Sequence, residues 1–144
     1  MKTFQFAALL LLPLCAACVA VDSNPSRDHA TLTCREGARP MAQVELLFGT
    51  GRRGTSLVSE REWSAFLDEE ITPRFPEGLT VLSGYGQWRG QSGTISKERS
   101  IVLVIWYEPN QSREAAIEAI RLAYKERFAQ ESVMRVDGLS CVSF

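Results

Sequence analysis

Histidine is almost missing from this chain; His29 is the only one. It stands in a polar stretch without apolar periodicity, so Ser-His-Asp chemistry would rest on a residue outside any packed element. A metal centre is no better supplied. The chain has four cysteines, and the set left once the N-terminal pair is set aside, His29 with Cys34 and Cys141, has no CxxC or HxxxH spacing and would be a poor ligand set. No metal, cofactor or catalytic residue is expected. Charge of one sign is lacking too: 16 Lys and Arg stand against 17 Asp and Glu, a net charge of −1. Nucleic-acid binders carry a basic excess, so no nucleic-acid partner is expected. The one long apolar run, Phe4–Leu14, is too short to span a bilayer.

That run is instead the centre of a secretory signal peptide over residues 1–18. Lys2 supplies the positive end, only Gln5 and Pro13 interrupt the apolar run, and small residues follow. Cys15-Ala16-Ala17-Cys18 resembles a bacterial lipobox with Cys18 as the lipidated first residue, although Cys15 stands where leucine is usual. Ordinary cleavage after Ala17 or Ala20 is the alternative. Either route exports the chain, as a membrane-anchored lipoprotein, a periplasmic protein or a soluble secreted one. In an oxidising compartment Cys34 and Cys141 are expected to pair. Residues 19–40 read as a polar tether, its second half pinned by Cys34. Residues 41–144 read as a single domain, in line with the chain length.

Within the domain, Val44, Leu46 and Phe48 alternate with Gln43, Glu45 and Leu47, which predicts a strand over 41–48. Gly49–Gly54 then spells GxGxxG. A dinucleotide fold opens its helix directly on those glycines, whereas Thr55–Ser59 intervene here, so the expected role is a mobile glycine loop with solvated Arg52 and Arg53. Anion capture by the two arginines is the alternative. Ser59 and Glu62 form a capping box ahead of a helix whose stripe is Trp63, Phe66, Leu67 and Ile71. A long hairpin follows, with arms 79–88 and 100–107 and a polar turn over 89–97. The second helix is expected over 113–129. The chain ends in two short runs, 132–136 and 139–144, broken at Gly138. The order β-α-β-β-α-β predicts an α+β, ferredoxin-like sandwich: an antiparallel sheet with two helices on one face.

The strings Glu45-Leu46-Leu47-Phe48-Gly49, Phe66-Leu67-Asp68-Glu69-Glu70-Ile71-Thr72-Pro73-Arg74-Phe75-Pro76, Gly84-Tyr85-Gly86-Gln87-Trp88, Glu98-Arg99-Ser100 and Cys141-Val142-Ser143-Phe144 resemble a bacterial family of small exported proteins catalogued only as a domain of unknown function. The resemblance implies one exported domain over 41–144 and brings no catalytic residues with it.

Two functions compete. The first is a non-catalytic, exported binding or interaction module of the bacterial envelope, held to the membrane if Cys18 is acylated and able to form a homodimer through the sheet face the helices leave open. The second is a small-ligand-binding protein or enzyme with a site on that face near 84–99. Its candidates are Tyr85, Gln87, Trp88, Arg89, Glu98 and Arg99: the aromatics to stack on a ring, the arginines to meet a carboxylate. The plain alternative packs the aromatics in the sheet and pairs Glu98 with Arg99 as a surface ion pair. Strand alternation places Tyr85 and Trp88 on opposite faces. Gly84 and Gly86 leave a gap on the Trp88 side, as glycines inside a strand do at a bulge or a close approach.

Overall fold

Alternation and helical spacing both point their apolar residues at one layer, and the computed structural model of the chain shows how they meet. It describes residues 32–51 and 57–144. The signal peptide, Cys18, His29 and the loop arginines Arg52 and Arg53 lie outside the described residues. The unit Leu32–Phe144 contains strand β1 (Arg39–Gly49), helix α1 (Glu60–Phe66) continuing into a π-helical turn (Leu67–Ile71), strands β2 (Thr80–Arg89) and β3 (Ile95–Tyr107), helix α2 (Gln111–Phe128) and strand β4 (Met134–Val142). The four strands form one antiparallel sheet in the order β2-β3-β1-β4. The fold class is α+β.

Val44, Leu46 and Phe48 of β1 and Ile101, Leu103, Ile105 and Tyr107 of β3 share one face and are buried against both helices. Phe48 is the centre of an aromatic nest. Its ring lies 4.6 Å from Tyr124, 5.2 Å from Trp63 and 6.4 Å from Phe66, all tilted or edge-on. Such pairs add about 0.5–1.5 kcal/mol each beyond the area they bury. The Tyr124 hydroxyl donates to the Gly49 carbonyl at 2.9 Å, so that buried hydroxyl is satisfied.

The capping box at Ser59 and Glu62 is formed as the residues predict. The turn after it was not legible in the sequence. Thr72 N–H donates to the Leu67 carbonyl at 2.8 Å, five residues back, and the widened turn returns Ile71 to the buried side that holds Trp63 and Phe66. Asn110 caps α2 through Arg113 N–H, and Ala129 ends it in the left-handed region at φ 53°.

Three boundaries differ from expectation. The hairpin turn is Gly90–Thr94, not 89–97, because Ser96–Arg99 pair with Trp88–Tyr85 and extend β3. The end of the chain is one strand: Gly138 pairs with Gln43 and does not break β4. Strand β1 begins at Arg39, since Arg39 and Pro40 pair with Val142 and Cys141. In each case strand pairing overrides the local pattern.

Cys34 and Cys141 are joined by a disulfide across 107 residues of sequence, which holds the segment before β1 against edge strand β4. Among the described residues no helix is long and apolar enough to cross a membrane. The disulfide is compatible with an exported protein. Closing a loop of about 100 residues is worth about 4.7 kcal/mol in the chain-entropy model, with observed losses of roughly 2–5 kcal/mol when a native bridge is removed. Replacing both cysteines with serine should lower stability by that range in urea unfolding at fixed pH. A loss below about 1 kcal/mol would show that the bridge does not constrain the unfolded chain.

Candidate binding cleft on the open sheet face

The sheet face away from the helices carries the odd-numbered residues of β1 and the even-numbered residues of β2, β3 and β4. Leu47, Leu82, Val102, Val104, Trp106, Met134 and Val136 lie on it around the hydrogen-bonded pair Gln43 and Glu45; Val104 is buried by its neighbours, and Leu82, Trp106, Met134 and Val136 are exposed. No second layer covers it among the described residues. At one end lies a cleft of about 190 Å³. Leu47, Gly49, Gly86, Trp88, Glu98 and Ser100 line it from the sheet. Gln130, Ser132 and Met134 close it from the end of α2 and the start of β4, and Gln87 borders it.

Glu98 forms its floor. The carboxylate Oε2 accepts the Gly51 N–H; Oε1 has no hydrogen-bond donor among the described residues. The carboxylate seats directly on the backbone of the glycine loop. A Cβ on Gly49 would come within 2.7 Å of Oε1, and one on Gly51 would overlap Oε2. Thr50, between them, is buried and donates to the Arg99 carbonyl at 2.8 Å. Gln130 donates to the Gly51 carbonyl, and Val58 N–H to the Thr50 carbonyl at 2.8 Å. The described part of the loop, Gly49–Gly51, is therefore bolted to β3 and to the end of α2, and is not the mobile glycine loop expected from the sequence.

The expected cluster divides. Trp88 and Glu98 come together in the cleft with Gln87 at its border. Tyr85, Arg89 and Arg99 occupy the opposite parity. Glu98 does not pair with Arg99, because adjacent strand residues face opposite sides; Arg99 pairs with Glu60 of α1 instead. That pairing holds the Glu60 carboxyl below the usual range, and Glu60 in turn raises Arg99. Leu47, Gly49, Gly51, Gln130, Ser132 and Met134 were missed by sequence reasoning. They reach the site through β1–β3 and β1–β4 pairing and through Gln130, which follows the left-handed turn at Ala129.

The strongest titration effects lie elsewhere. Arg135 of β4 donates to Glu114 (2.6 Å), Glu118 (2.8 Å) and Asp137 (2.8 Å), and Tyr107 donates to Glu114 at 2.9 Å. Burial, helped by the bond to Glu114, pushes the Tyr107 hydroxyl up to about 12. Burial alone would raise Glu118, but its bonds to Arg135 and Arg121 outweigh that and lower it. This network clamps α2 to the sheet, and none of its residues lines the cleft.

Residues 43–144 match the model of a family described as a protein of unknown function, DUF3574. The chain belongs to the DUF3574 family. No curated protein matches it. Among solved structures, a phage SAM lyase in complex with S-methyl-5'-thioadenosine superposes with a TM-score of 0.52 at 14% identity, over 78% of this chain and 95% of that one. The phage SAM lyase in its apo state gives a TM-score of 0.47 at 16% identity, over 78% and 96%. At that identity the first likeness shows the fold alone.

Two outcomes follow for this DUF3574 domain. Gly51→Ala should expel the Glu98 carboxylate and cost roughly 1.5–3 kcal/mol, the worth of a hydrogen bond to a charged group. In a double-mutant cycle with Glu98→Ala the two losses should be strongly non-additive; additive losses would show that the carboxylate does not seat on the loop. Tyr107 has a folded pKa above its unfolded value of about 10, so its contribution is intact below pH 10 and lost as pH rises towards 12. Unfolding measured across that window should show a fall that Tyr107→Phe removes; an unchanged profile in the variant would refute the assignment.

Proposed function

We propose that this protein is a non-catalytic, exported binding module of the bacterial envelope, with Cys18 as its lipid anchor, and that it binds through the cleft beside Gly84 and Gly86. The observation that carries this reading is that the backbone does not require Gly86. Its φ is not positive, and a Cβ there would meet Ser100 at an ordinary 3.4 Å; at Gly84 the nearest atom is 3.9 Å away. Glycine in a strand costs roughly 0.5–1 kcal/mol relative to alanine. Keeping it where alanine fits leaves a trough next to an exposed indole. The trough suits a small flat organic group: Trp88 and Met134 cover its apolar body, and Glu98 Oε1 accepts from its donor. The finer fold assignment belongs to the same proposal. A ferredoxin-like split βαβ is supported by the β-α-β-β-α-β order and the β2-β3-β1-β4 sheet.

A second reading, an enzyme acting at the same cleft, draws on the phage SAM lyase whose fold is similar and whose complex holds S-methyl-5'-thioadenosine. Size favours the first reading. The cleft of about 190 Å³ is smaller than the roughly 300–1,000 Å³ that encloses a drug-sized ligand.

Native mass spectrometry of the protein purified from its own envelope tests both. The wild type should carry a non-covalent small-molecule mass and an acyl group. Gly86→Leu, which fills the trough, should keep the acyl group and lose the small molecule, while Gly86→Ala should melt at or above the wild-type temperature. A wild type that is clean of any ligand, or a Gly86→Leu variant that keeps it, would remove the reading. A melting shift with S-methyl-5'-thioadenosine that Trp88→Ala abolishes would favour the enzyme.

A further inference from the structure

The sheet has two edges, and the chain treats them differently. Strand β4 is guarded. It carries Arg135 and Asp137, its end is bridged through Cys141 to Cys34, and Arg35 donates to Ser143 at 2.8 Å, so the segment before β1 lies against that end. Charges and covering segments are how proteins keep an edge from pairing. Strand β2 has none of these. Thr80–Arg89 contains no proline, lysine, aspartate or glutamate, and its one charge is the terminal Arg89. Its pairing with β3 runs unbroken from Thr80↔Val104 to Arg89↔Ile95, so no bulge twists the edge away. Among the described residues no further backbone hydrogen bond uses its outer side. Three large apolar side chains are exposed along it: Leu82 at 53%, Tyr85 at 71% and Trp88 at 41%.

We infer that the outer edge of β2 is an interface for a second copy of this chain, joined by antiparallel β2–β2 pairing about a two-fold axis through Tyr85. The strand is complementary to itself, which is what an isologous contact requires. Residues directly opposite in an antiparallel pair point to the same face, so an axis must pass through a residue and not between two. Axes at Gly84 and at Tyr85 give the longest overlap of Thr80–Arg89. An axis at Gly84 sets Trp88 opposite Thr80 and Leu82 opposite Gly86. An axis at Tyr85 sets Leu82 opposite Trp88 of the second copy, and Tyr85 opposite itself, so all three exposed apolar side chains find apolar partners. It also sets Gly84 opposite Gly86, so the glycine gaps of the two copies adjoin on the open face. The second copy is met along the edge, and the open face stays free for its own occupant.

Sedimentation velocity of the full protein, as its producing cell processes it, tests this. The wild type should sediment at twice the monomer mass. Tyr85→Lys and Tyr85→Glu each set like charges opposite one another at the axis and should each be monomeric, with unchanged circular dichroism because the side chain is exposed. Mixed in equal amounts, the two variants should recover the dimer mass. A monomeric wild type, a dimer that survives in both variants, or a mixture that stays monomeric would overturn the inference. Its failure would leave the cleft untouched, because the cleft is read by retained ligand and not by subunit number.

Discussion

Phe48 lies where both helices meet the sheet, and the positions of the remaining elements follow from that contact. Its ring packs against Trp63 and Phe66 of α1 and Tyr124 of α2. The edge-on geometries suit the aromatic quadrupole. Tyr124 then ties this nest to backbone through the Gly49 carbonyl. The hydroxyl lands on the last residue of β1, where the strand becomes the glycine loop. This hydrogen bond links the aromatic core to the strand end that lines the cleft.

The glycines of this chain do different work at different places. Gly49 and Gly51 are needed because a carboxylate approaches their α-carbons; Glu98 and Gln130 both hold Gly51, one through its N–H and the other through its carbonyl. Gly84 and Gly86 meet no such obstacle and leave space instead of making contact. A glycine that the backbone requires is explained by structure.

Charge is arranged to hold elements together. Arg135 joins two glutamates of α2 to β4, Arg113 joins α2 to Glu77, and Arg127 joins it to Glu69 of the π-turn. Exposed pairs of this kind contribute little singly. They tie α2 to β4, to the π-turn and to Glu77 ahead of β2.

Local chemistry alone determined much of this protein. Alternation in Gln43–Phe48 marked a half-buried strand, Ser59 and Glu62 marked a helix start, and the parity of β2 separated Tyr85 from Trp88. Two cysteines without metal spacing marked a bridge. Each of these depends on neighbours within a few residues or on a covalent preference. Tertiary structure decided the rest. Gly138 stays in a strand because Gln43 pairs with it, and Ser96–Arg99 join β3 because β2 offers partners. Glu98 turns to Gly51, not to Arg99, because opposite faces of a sheet cannot share an ion pair. The cleft is assembled from all four strands and the segment that follows α2, so its walls are far apart in sequence. A local pattern states which side a residue faces; only the completed sheet states what it faces.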